Sequence, residues 1–282
     1  MKQIFDSLKK QSPSRIIALG FSAVILVGAV LLMMPFSLKK GVHLSFLNAL
    51  FTSTSAVCVT GLVVVDTADS FTAIGQAIVA ALIQIGGLGI ASVGIKSRLM
   101  VKEALNVDTY HGMVRLVRIV LAITLGFEAA GAIISFFVFR KDYSPLHAVG
   151  ISIFHSIAAF NNAGFDNLGG MHNLIPYKDN ILLNITTDVL VIVGGIGFLV
   201  LVDIVKQKSF KKLCLHSKVA ISMTAVLLIG GTLILKATEN ITWMGAFFQS
   251  MTTRTAGFST YNIGNFSKAG LFAMCILMFI GA

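Results

Sequence analysis

Charged residues are scarce in this sequence. They make up 12% of its 282 residues, about half the share found in soluble domains, whereas hydrophobic residues make up 56%. A water-soluble fold cannot cover so much apolar surface, so the composition excludes a soluble globular protein and indicates a chain that crosses a membrane several times. The net charge of +10 then reflects sidedness across that membrane, and no nucleic-acid partner is predicted.

Cysteine is rare as well. Its three copies, Cys58, Cys214 and Cys275, are far apart and odd in number, which argues against a disulfide framework or a metal site. The sequence also lacks a P-loop, a glycine-rich dinucleotide-binding turn, an HExxH metal motif and a nucleophile elbow. We therefore predict that the chain is not an enzyme and binds no cofactor apart from an ion that it transports.

Apolar runs of two lengths alternate along the chain. The long runs suit membrane spans, which need about 20 residues each, and the short ones suit re-entrant helices. The predicted spans are Ile16–Leu38, Phe71–Ile95, Ile119–Phe139, Ile181–Val202, Val219–Leu235 and a last one from Ala269. The predicted short helices are Val42–Val57, Ser144–Phe160 and a segment within Asn240–Met251. The expected fold is an all-α polytopic membrane protein.

A glycine-containing stretch follows each short run. The three stretches are Cys58-Val59-Thr60-Gly61, Asn161-Asn162-Ala163-Gly164 and Arg254-Thr255-Ala256-Gly257. Non-helical backbone persists at membrane depth only where it is buried in protein or lines a wet cavity. Glycine adopts the dihedral angles that aim successive carbonyls at a dehydrated cation. One such stretch alone would indicate helix packing or a plain loop, but three in register favour one ion-selectivity filter that holds a cation through backbone carbonyls.

The same order of elements recurs along the chain. We predict tandem parallel span–pore helix–span repeats around a central ion pore, with boundaries at 1–100, 101–210 and 211–282 and with the third repeat incomplete. The strings Ile85-Gly86-Gly87-Leu88-Gly89 and Val193-Gly194-Gly195-Ile196-Gly197 occupy similar places after the first two filter stretches. We interpret their glycine pairs as sites of close helix packing.

Basic residues are concentrated before the first span and in the two connections between repeats. By the positive-inside rule, this asymmetry predicts a cytoplasmic amino end and short helices that enter from the outside. The basic residues concerned are Lys2, Lys9, Lys10, Arg15, Lys96, Arg98, Lys102, Arg115, Arg118, Lys206, Lys208, Lys211, Lys212 and Lys218.

Three charged residues are predicted to lie at membrane depth, where an unpaired charge is costly. Glu128 and Asp188 fall inside spans, and Arg254 falls three residues before a filter glycine. Each carboxylate either tunes the polarity around the pore or makes a structural hydrogen bond, and both alternatives stay open. Arg254 either tunes the field in the pore or pairs with a carboxylate behind the filter.

The stretches around the three glycines resemble the bacterial Ktr/Trk/HKT superfamily of potassium transporters, and in particular the membrane subunit of the Ktr system. The strings that carry the resemblance are 54–62, 160–166 and 252–258. It implies four pseudo-symmetric units around one pore, and a homodimer in lipid of the bacterial cell membrane. It also implies a cytoplasmic nucleotide-binding regulatory ring and potassium uptake, in some cases coupled to sodium. In this family a serine at the first filter glycine accompanies sodium transport in some members, so Gly61 favours potassium.

The sequence departs from this resemblance in one respect, because no fourth unit follows the third. The leading prediction is the pore-forming subunit of a regulated potassium transporter. One alternative is a sodium or other monovalent cation transporter on the same fold. Another is an inactive truncated fragment that serves only as a membrane scaffold for the ring.

Overall fold

The structure, a computed structural model, describes residues 13–96 and 110–281. Within these ranges the regular elements are helices, apart from one isolated antiparallel bridge between Leu38 and Phe71. The helices longer than one turn are α1 (Pro13–Met33), α2 (Phe46–Val57), α3 (Ala73–Lys96), α4 (Tyr110–Phe139), α5 (Pro145–Phe160), α6 (Ile181–Ile196), α7 (Phe198–Gln207), α8 (Leu215–Thr238), α9 (Trp243–Thr255) and α10 (Lys268–Gly281). The predicted all-α fold is confirmed.

A helix occurs at the place of each predicted span and short helix, although several ends differ. Helix α1 stops at Met33 instead of Leu38, because Pro35 follows closely and cannot continue a helix. Helix α4 begins at Tyr110, well before the predicted start at Ile119. Helix α9 continues to Thr255, past the predicted end at Met251, and this difference changes the third filter stretch.

One predicted span is bent. The run Ile181–Val202 was expected to form one continuous helix, but α6 and α7 meet at 95° around Gly197. Gly197 has φ +96°, a conformation that favours glycine because it has no β-carbon. The matching Gly89 lies inside α3, which continues unbroken. Nearly identical strings therefore have different backbones in the two units.

The helices form three units, which we name first (α1–α3), second (α4–α7) and third (α8–α10). In each unit the first span, the short helix and the following span all pack against one another. Neighbouring units meet in the same way twice, since α3 packs on the short helix α5 and α6 packs on the short helix α9. This arrangement brings the carboxyl ends of the short helices into one region.

A serine hydroxyl anchors each short helix to the first span of its own unit. The hydroxyl donates to a backbone carbonyl of that span, and the same bond occurs in all three units. The three bonds are Ser53 Oγ to Ile25 O (2.8 Å), Ser156 Oγ to Glu128 O (2.7 Å) and Ser250 Oγ to Leu228 O (3.1 Å). The repetition indicates that the short helices are set at equivalent depths.

A glycine makes room for each of these serines. It lies one turn after the accepting carbonyl, and a β-carbon there would overlap both the serine hydroxyl and a leucine of the following span. The glycines are Gly28, Gly131 and Gly231, and the leucines are Leu82, Leu190 and Leu277. These contacts provide a residue-by-residue alignment of the three units.

The outer surface of the spans is apolar. Leu125, Ile133, Val226 and Ile229 are each at least 60% exposed, as expected for side chains that contact lipid. By length and composition, α4 and α8 are able to cross a membrane among the described residues, and the bent pair α6–α7 adds a third span if it counts as one. Spans at α1, α3 and α10 remain predictions. Of the basic residues used for orientation, Lys2, Lys9, Lys10, Arg98 and Lys102 lie outside the described residues.

Candidate functional site

The three predicted filter glycines lie side by side. Gly61, Gly164 and Gly257 have φ values of +71°, +68° and +80°, which a residue with a side chain rarely adopts. A β-carbon on Gly61 would lie 2.7 Å from the carbonyl oxygen of Ala163, and one on Gly164 would lie 3.2 Å from Cα of Gly257. The three turns therefore form one cluster, and each packs backbone against backbone with the next.

Each turn begins where a short helix ends. Cys58 and Asn161 cap α2 and α5, and the next residues, Val59 and Asn162, take left-handed conformations with φ of +54° and +56°. The carboxyl end of a helix carries about half a negative elementary charge, which favours a cation near it. Two of the three stretches thus share one backbone course, residue for residue.

The third stretch is one residue shorter. The structure places Arg254 and Thr255 in the last turn of α9, and Ala256 is its cap. Counted from the anchoring serines, Arg254 corresponds to Val57 and Phe160, which end the other two short helices. The predicted register, with Arg254 and Thr255 in the strand, is therefore corrected: the non-helical part begins at Ala256.

Hydroxyl groups of the short helices hold the first and third strands. Ser55 Oγ donates to the carbonyl of Leu62 (2.7 Å), and Thr60 Oγ1 donates to Ser55 Oγ (2.9 Å). In the third unit Thr252 Oγ1 donates in the same way to the carbonyl of Phe258 (2.7 Å). These bonds fix the carbonyl that follows each filter glycine, and so set the direction of the strand.

The second strand is held by amide groups instead. Ala158 occupies the place of Ser55 and has no hydroxyl to donate. The Asn161 side-chain amide donates to Glu128 Oε1 (3.1 Å) and Gln84 Oε1 (3.0 Å), on helices α4 and α3, and also to the carbonyl of Ile157 (2.9 Å). The second strand is therefore tied to both its own unit and the first unit.

A loop on the other side of the filter glycines connects the second strand to the third. Asn173 Nδ2 donates to the carbonyl of Gly164 (3.4 Å), and Asn173 Oδ1 accepts from the backbone amide of Ser259 (3.0 Å). The Leu174 amide also donates to the Ser259 carbonyl (3.1 Å). The amide of one residue thus bridges two filter strands.

The same loop is tied to the first unit by two carboxylates. Asp66 accepts from the amide of Met171 (2.7 Å), and Asp69 accepts from the amide of Gly170 (3.0 Å). Asp166 lies close by, and burial, helped by the negative charges of Asp66 and Asp69, raises its pKa to about 6. This mouth of the cluster therefore concentrates negative charge, which attracts cations.

The glycine pairs serve close packing, as predicted. A β-carbon on Gly86 would overlap the carbonyl of Val57, and one on Gly194 would overlap the carbonyl of Phe160. A β-carbon on Gly87 would overlap the side-chain oxygen of Asn161. The second span of each of these units therefore rests directly on the end of a short helix, next to the filter turn.

The two remaining charged candidates make few hydrogen bonds. Asp188 is buried in α6, and its Oδ1 atom has no hydrogen-bond partner among the described residues. Arg254 Nη2 donates to Thr224 Oγ1 (3.4 Å), and the described residues include no carboxylate that pairs with it. Its stem lies against Gly281. The predicted ion pair of Arg254 behind the filter is therefore not formed among the described residues.

Sequence reasoning missed four residues that hold the strands: Ser55, Gln84, Asn173 and Thr252. A polar glutamine inside the apolar run Phe71–Ile95 was a usable signal for Gln84. Ser55 and Thr252 lie within the strings 54–62 and 252–258 that carry the family resemblance, but no role was predicted for their hydroxyls, and nothing in the sequence set Asn173 apart.

Backbone carbonyls, rather than side chains, are the ligands that this cluster offers. Among the described residues no group of three His, Cys, Asp or Glu side chains is placed to hold a metal ion. Carbonyl oxygens from adjacent strands are able to replace the hydration shell of a monovalent cation.

Comparisons with known proteins agree with this geometry. The model of the family described as "TrkH: Cation transport protein" matches residues 8–226 and 213–282. Potassium/sodium uptake protein NtpJ of Enterococcus hirae is 38% identical over 97% of this chain, and Ktr system potassium uptake protein B of Bacillus subtilis is 38% identical over 96%. The crystal structure of the potassium transporter TrkH from Vibrio parahaemolyticus superposes with a TM-score of 0.71 at 21% identity, over 94% of this chain and 54% of that one. The chain spans 65% of the length of the first two relatives.

Proposed function

Because the chain belongs to the TrkH family of cation transport proteins, we propose that it contributes the pore-forming part of a potassium uptake system. Potassium ions pass along the backbone carbonyls of 58–61, 161–164 and 254–257, with the third strand supplying its non-helical carbonyls from Ala256 onward. The three units serve as tandem repeats with boundaries at 1–100, 101–210 and 211–282. The membrane is that of a bacterial cell, with the amino end in the cytoplasm.

The observation that supports this proposal is the contact between the three filter glycines. Their strained turns are adjacent, although about a hundred residues separate each from the next along the chain. Glycine adopts these positive φ values without the clash that a β-carbon would cause, and at Gly61 and Gly164 its lack of a side chain also lets neighbouring strands touch. Adjacent carbonyl-bearing turns that follow helix carboxyl ends are the arrangement that selects cations.

The direct test replaces Gly61 with serine in the product of the native gene. Uptake of potassium is measured in a strain without other uptake systems, with sodium as competitor. We expect the preference for potassium over sodium to fall by about tenfold or more, because the new side chain would meet the Ala163 carbonyl. Gly41→Ser is the matched control, since Gly41 also has a positive φ (+84°) but has open space around it. An unchanged preference in Gly61→Ser would contradict the proposal.

A second candidate is transport of sodium as a main substrate, which the name of the Enterococcus hirae relative favours. Isotope fluxes of ²²Na⁺ and ⁸⁶Rb⁺ in the same cells separate the two. Potassium as the main substrate requires rubidium uptake that excess sodium leaves largely intact. Sodium as the main substrate requires ²²Na⁺ uptake that excess potassium leaves largely intact.

We also propose a homodimer that binds a cytoplasmic nucleotide-binding ring subunit, in line with the Ktr-system relative. The basic connection that contains Lys206, Lys208, Lys211 and Lys212 offers a charged surface for that ring. Co-purification with a co-expressed soluble nucleotide-binding subunit tests the pairing, and substitution of the four lysines by glutamine is expected to weaken it. Retention of the full complex by that variant would exclude this surface.

A further inference from the structure

Three polar residues stand where the other units have apolar or small residues. The serine anchors align the units, so Glu128 corresponds to Ile25 and Leu228, whose carbonyls accept the same hydroxyl bond. Asn161, five residues after its serine, corresponds to Cys58 and Thr255. Gln84, two residues before Gly86, corresponds to Ile192 and Phe279, which precede Gly194 and Gly281 by the same step.

These three departures from the repeat contact one another. The Asn161 amide donates to Glu128 Oε1 and to Gln84 Oε1, although 33 and 77 residues separate it from them along the chain. The absence of a side chain at Gly87 leaves room for the Asn161 side chain. The three side chains form a single hydrogen-bonded cluster, because without Asn161 the Oε1 atoms of Glu128 and Gln84 would lose this donor; Gln84 Nε2 has no partner among the described residues.

Burying these three polar side chains costs free energy, and their position indicates their role. Glu128 is only 7% exposed and lies within span α4, where an unpaired carboxylate is expensive. Its partner Asn161 is the first residue after α5, directly before the left-handed turn at Asn162. Movement of Asn161 therefore moves the second filter strand, which has no hydroxyl of the kind that Ser55 supplies to the first.

We propose that Glu128 and Gln84 are positioning residues for ion selectivity, which act through the Asn161 side chain to fix the second filter strand. Glu128 holds the strand to its own unit, and Gln84 holds it to the first unit. Neither side chain touches the ion. The inference rests on the proposed function, because it concerns the selectivity of the same filter.

The test is a double-mutant cycle on the product of the native gene. Glu128→Leu installs the residue of the third unit, Asn161→Ala removes the amide, and the third variant combines both changes. Potassium uptake and its inhibition by sodium are measured at matched protein levels in the membrane. Glu128→Gln retains an acceptor for the Asn161 amide and is the conservative variant. Ile25→Leu changes the equivalent position of the first unit and is the control.

We expect Glu128→Leu to lower the preference for potassium over sodium by about tenfold, the effect of losing one buried hydrogen bond, and Asn161→Ala to lower it at least as much because it also loses the bond to Gln84. The double variant should be no worse than Asn161→Ala alone, since that change already removes the contact with Glu128. Glu128→Gln should stay within about threefold of the parent, and Ile25→Leu should match it.

Two results would overturn the inference. One is additive losses, about a hundredfold in the double variant, which would mean that the two residues act separately. The other is an unchanged ion preference in Glu128→Leu with only a lower amount of protein, which would mean a purely structural role. A parent protein that transports no potassium would overturn the proposed function together with this inference, whereas the other two results leave the proposed function standing.

Discussion

The first and second strands of the proposed filter follow the same backbone course but are held by different hydrogen-bonding groups. Their left-handed residues, Val59 and Asn162, have nearly equal φ, and so do their glycines. The first strand is fixed by hydroxyls from within its own short helix, whereas the second is fixed by amides whose partners lie on other helices. The first strand is therefore self-contained, and the second depends on how the units are assembled.

Strands with the same backbone course therefore do not need the same stabilising hydrogen bonds. Ordering a strand of unusual dihedral angles costs about 1 to 3 kcal/mol for each strained residue, and any set of well-placed donors is able to offset that cost. Support from a neighbouring unit also makes the strand sensitive to that neighbour. Substitutions in each strand test this difference.

The largest expected effect comes from Gly164→Ala in the second strand. The new β-carbon would lie 2.5 Å from the Ala256 carbonyl, and φ of +68° is strained for alanine. The third strand, whose Ala256 and Gly257 the new β-carbon would meet, would have to move, so potassium uptake should fall by about a hundredfold or more. Flux assays at matched membrane levels check this, with Gly41→Ala as control. Near-normal flux would mean that the strands do not need their close contact.

A smaller effect is expected from removing the internal support of the first strand. Ser55→Ala deletes the bond to Leu62 and the acceptor for Thr60, so the preference for potassium over sodium should fall by about tenfold. The reciprocal variant Ala158→Ser adds a hydroxyl to the second unit and should change the preference by less than about twofold, because amides already fix that strand. Equal effects of the two variants would remove the distinction between the strands.

The loop that links the second and third strands should give a still smaller change. Asn173→Ala removes a hydrogen bond to the Gly164 carbonyl and another from the Ser259 amide. These are bonds between neutral groups, so the apparent affinity for potassium should weaken by about threefold to fivefold. Uptake kinetics over a range of potassium concentrations measure it. Asn265→Ala, in an exposed turn of the same membrane side, should leave the affinity unaltered.

The smallest expected effect concerns pH. Two residues after its glycine the second strand has Asp166, where the first has Val63. Burial raises the pKa of Asp166 to about 6, above its ordinary value of 3.8, so the carboxyl is protonated below that pH and charged above it. Cation entry should therefore rise by about twofold as pH increases from 5 to 7. Initial rates for the parent and Asp166→Asn test this, and an identical pH profile in both would rule out a contribution from Asp166.

Linkage gives the same residue a separate effect on stability. Because the folded-state pKa is raised, the folded protein holds the Asp166 proton more tightly than the unfolded chain does. The favourable contribution of this group is complete below about pH 4 and is lost as pH rises through about 6. Thermal unfolding in detergent should show this trend in the parent and less of it in Asp166→Asn.

Local features of the fold were predictable from the sequence at positions where one residue type determines the backbone conformation. Gly61, Gly164 and Gly257 were predicted as turns because glycine is favoured at positive φ, and the short helices were predicted from their length. The bend at Gly197 was not predictable, because Gly89 stands in an almost identical string within an unbroken helix. Which glycine breaks the helix depends on packing outside the string.

Local sequence patterns did not predict which hydrogen bonds hold the strands of the proposed filter. Asn161 was recognised as part of a filter stretch, but its acceptors lie on helices from two units. The one extra helical residue of the third unit, Thr255, was equally hidden, since the third stretch is one residue shorter than the others and its own sequence does not locate the gap. Only the repeated serine anchors reveal the register.

The most direct test of the filter is to locate the ions. Crystals of the native gene product grown in rubidium would show anomalous density at each bound ion. We predict peaks on the axis shared by Gly61, Gly164 and Gly257, within about 3 Å of carbonyl oxygens from Thr60, Ala163 and Ala256. The proposed filter would be contradicted if rubidium bound only at side-chain carboxylates and those carbonyls pointed away from every peak.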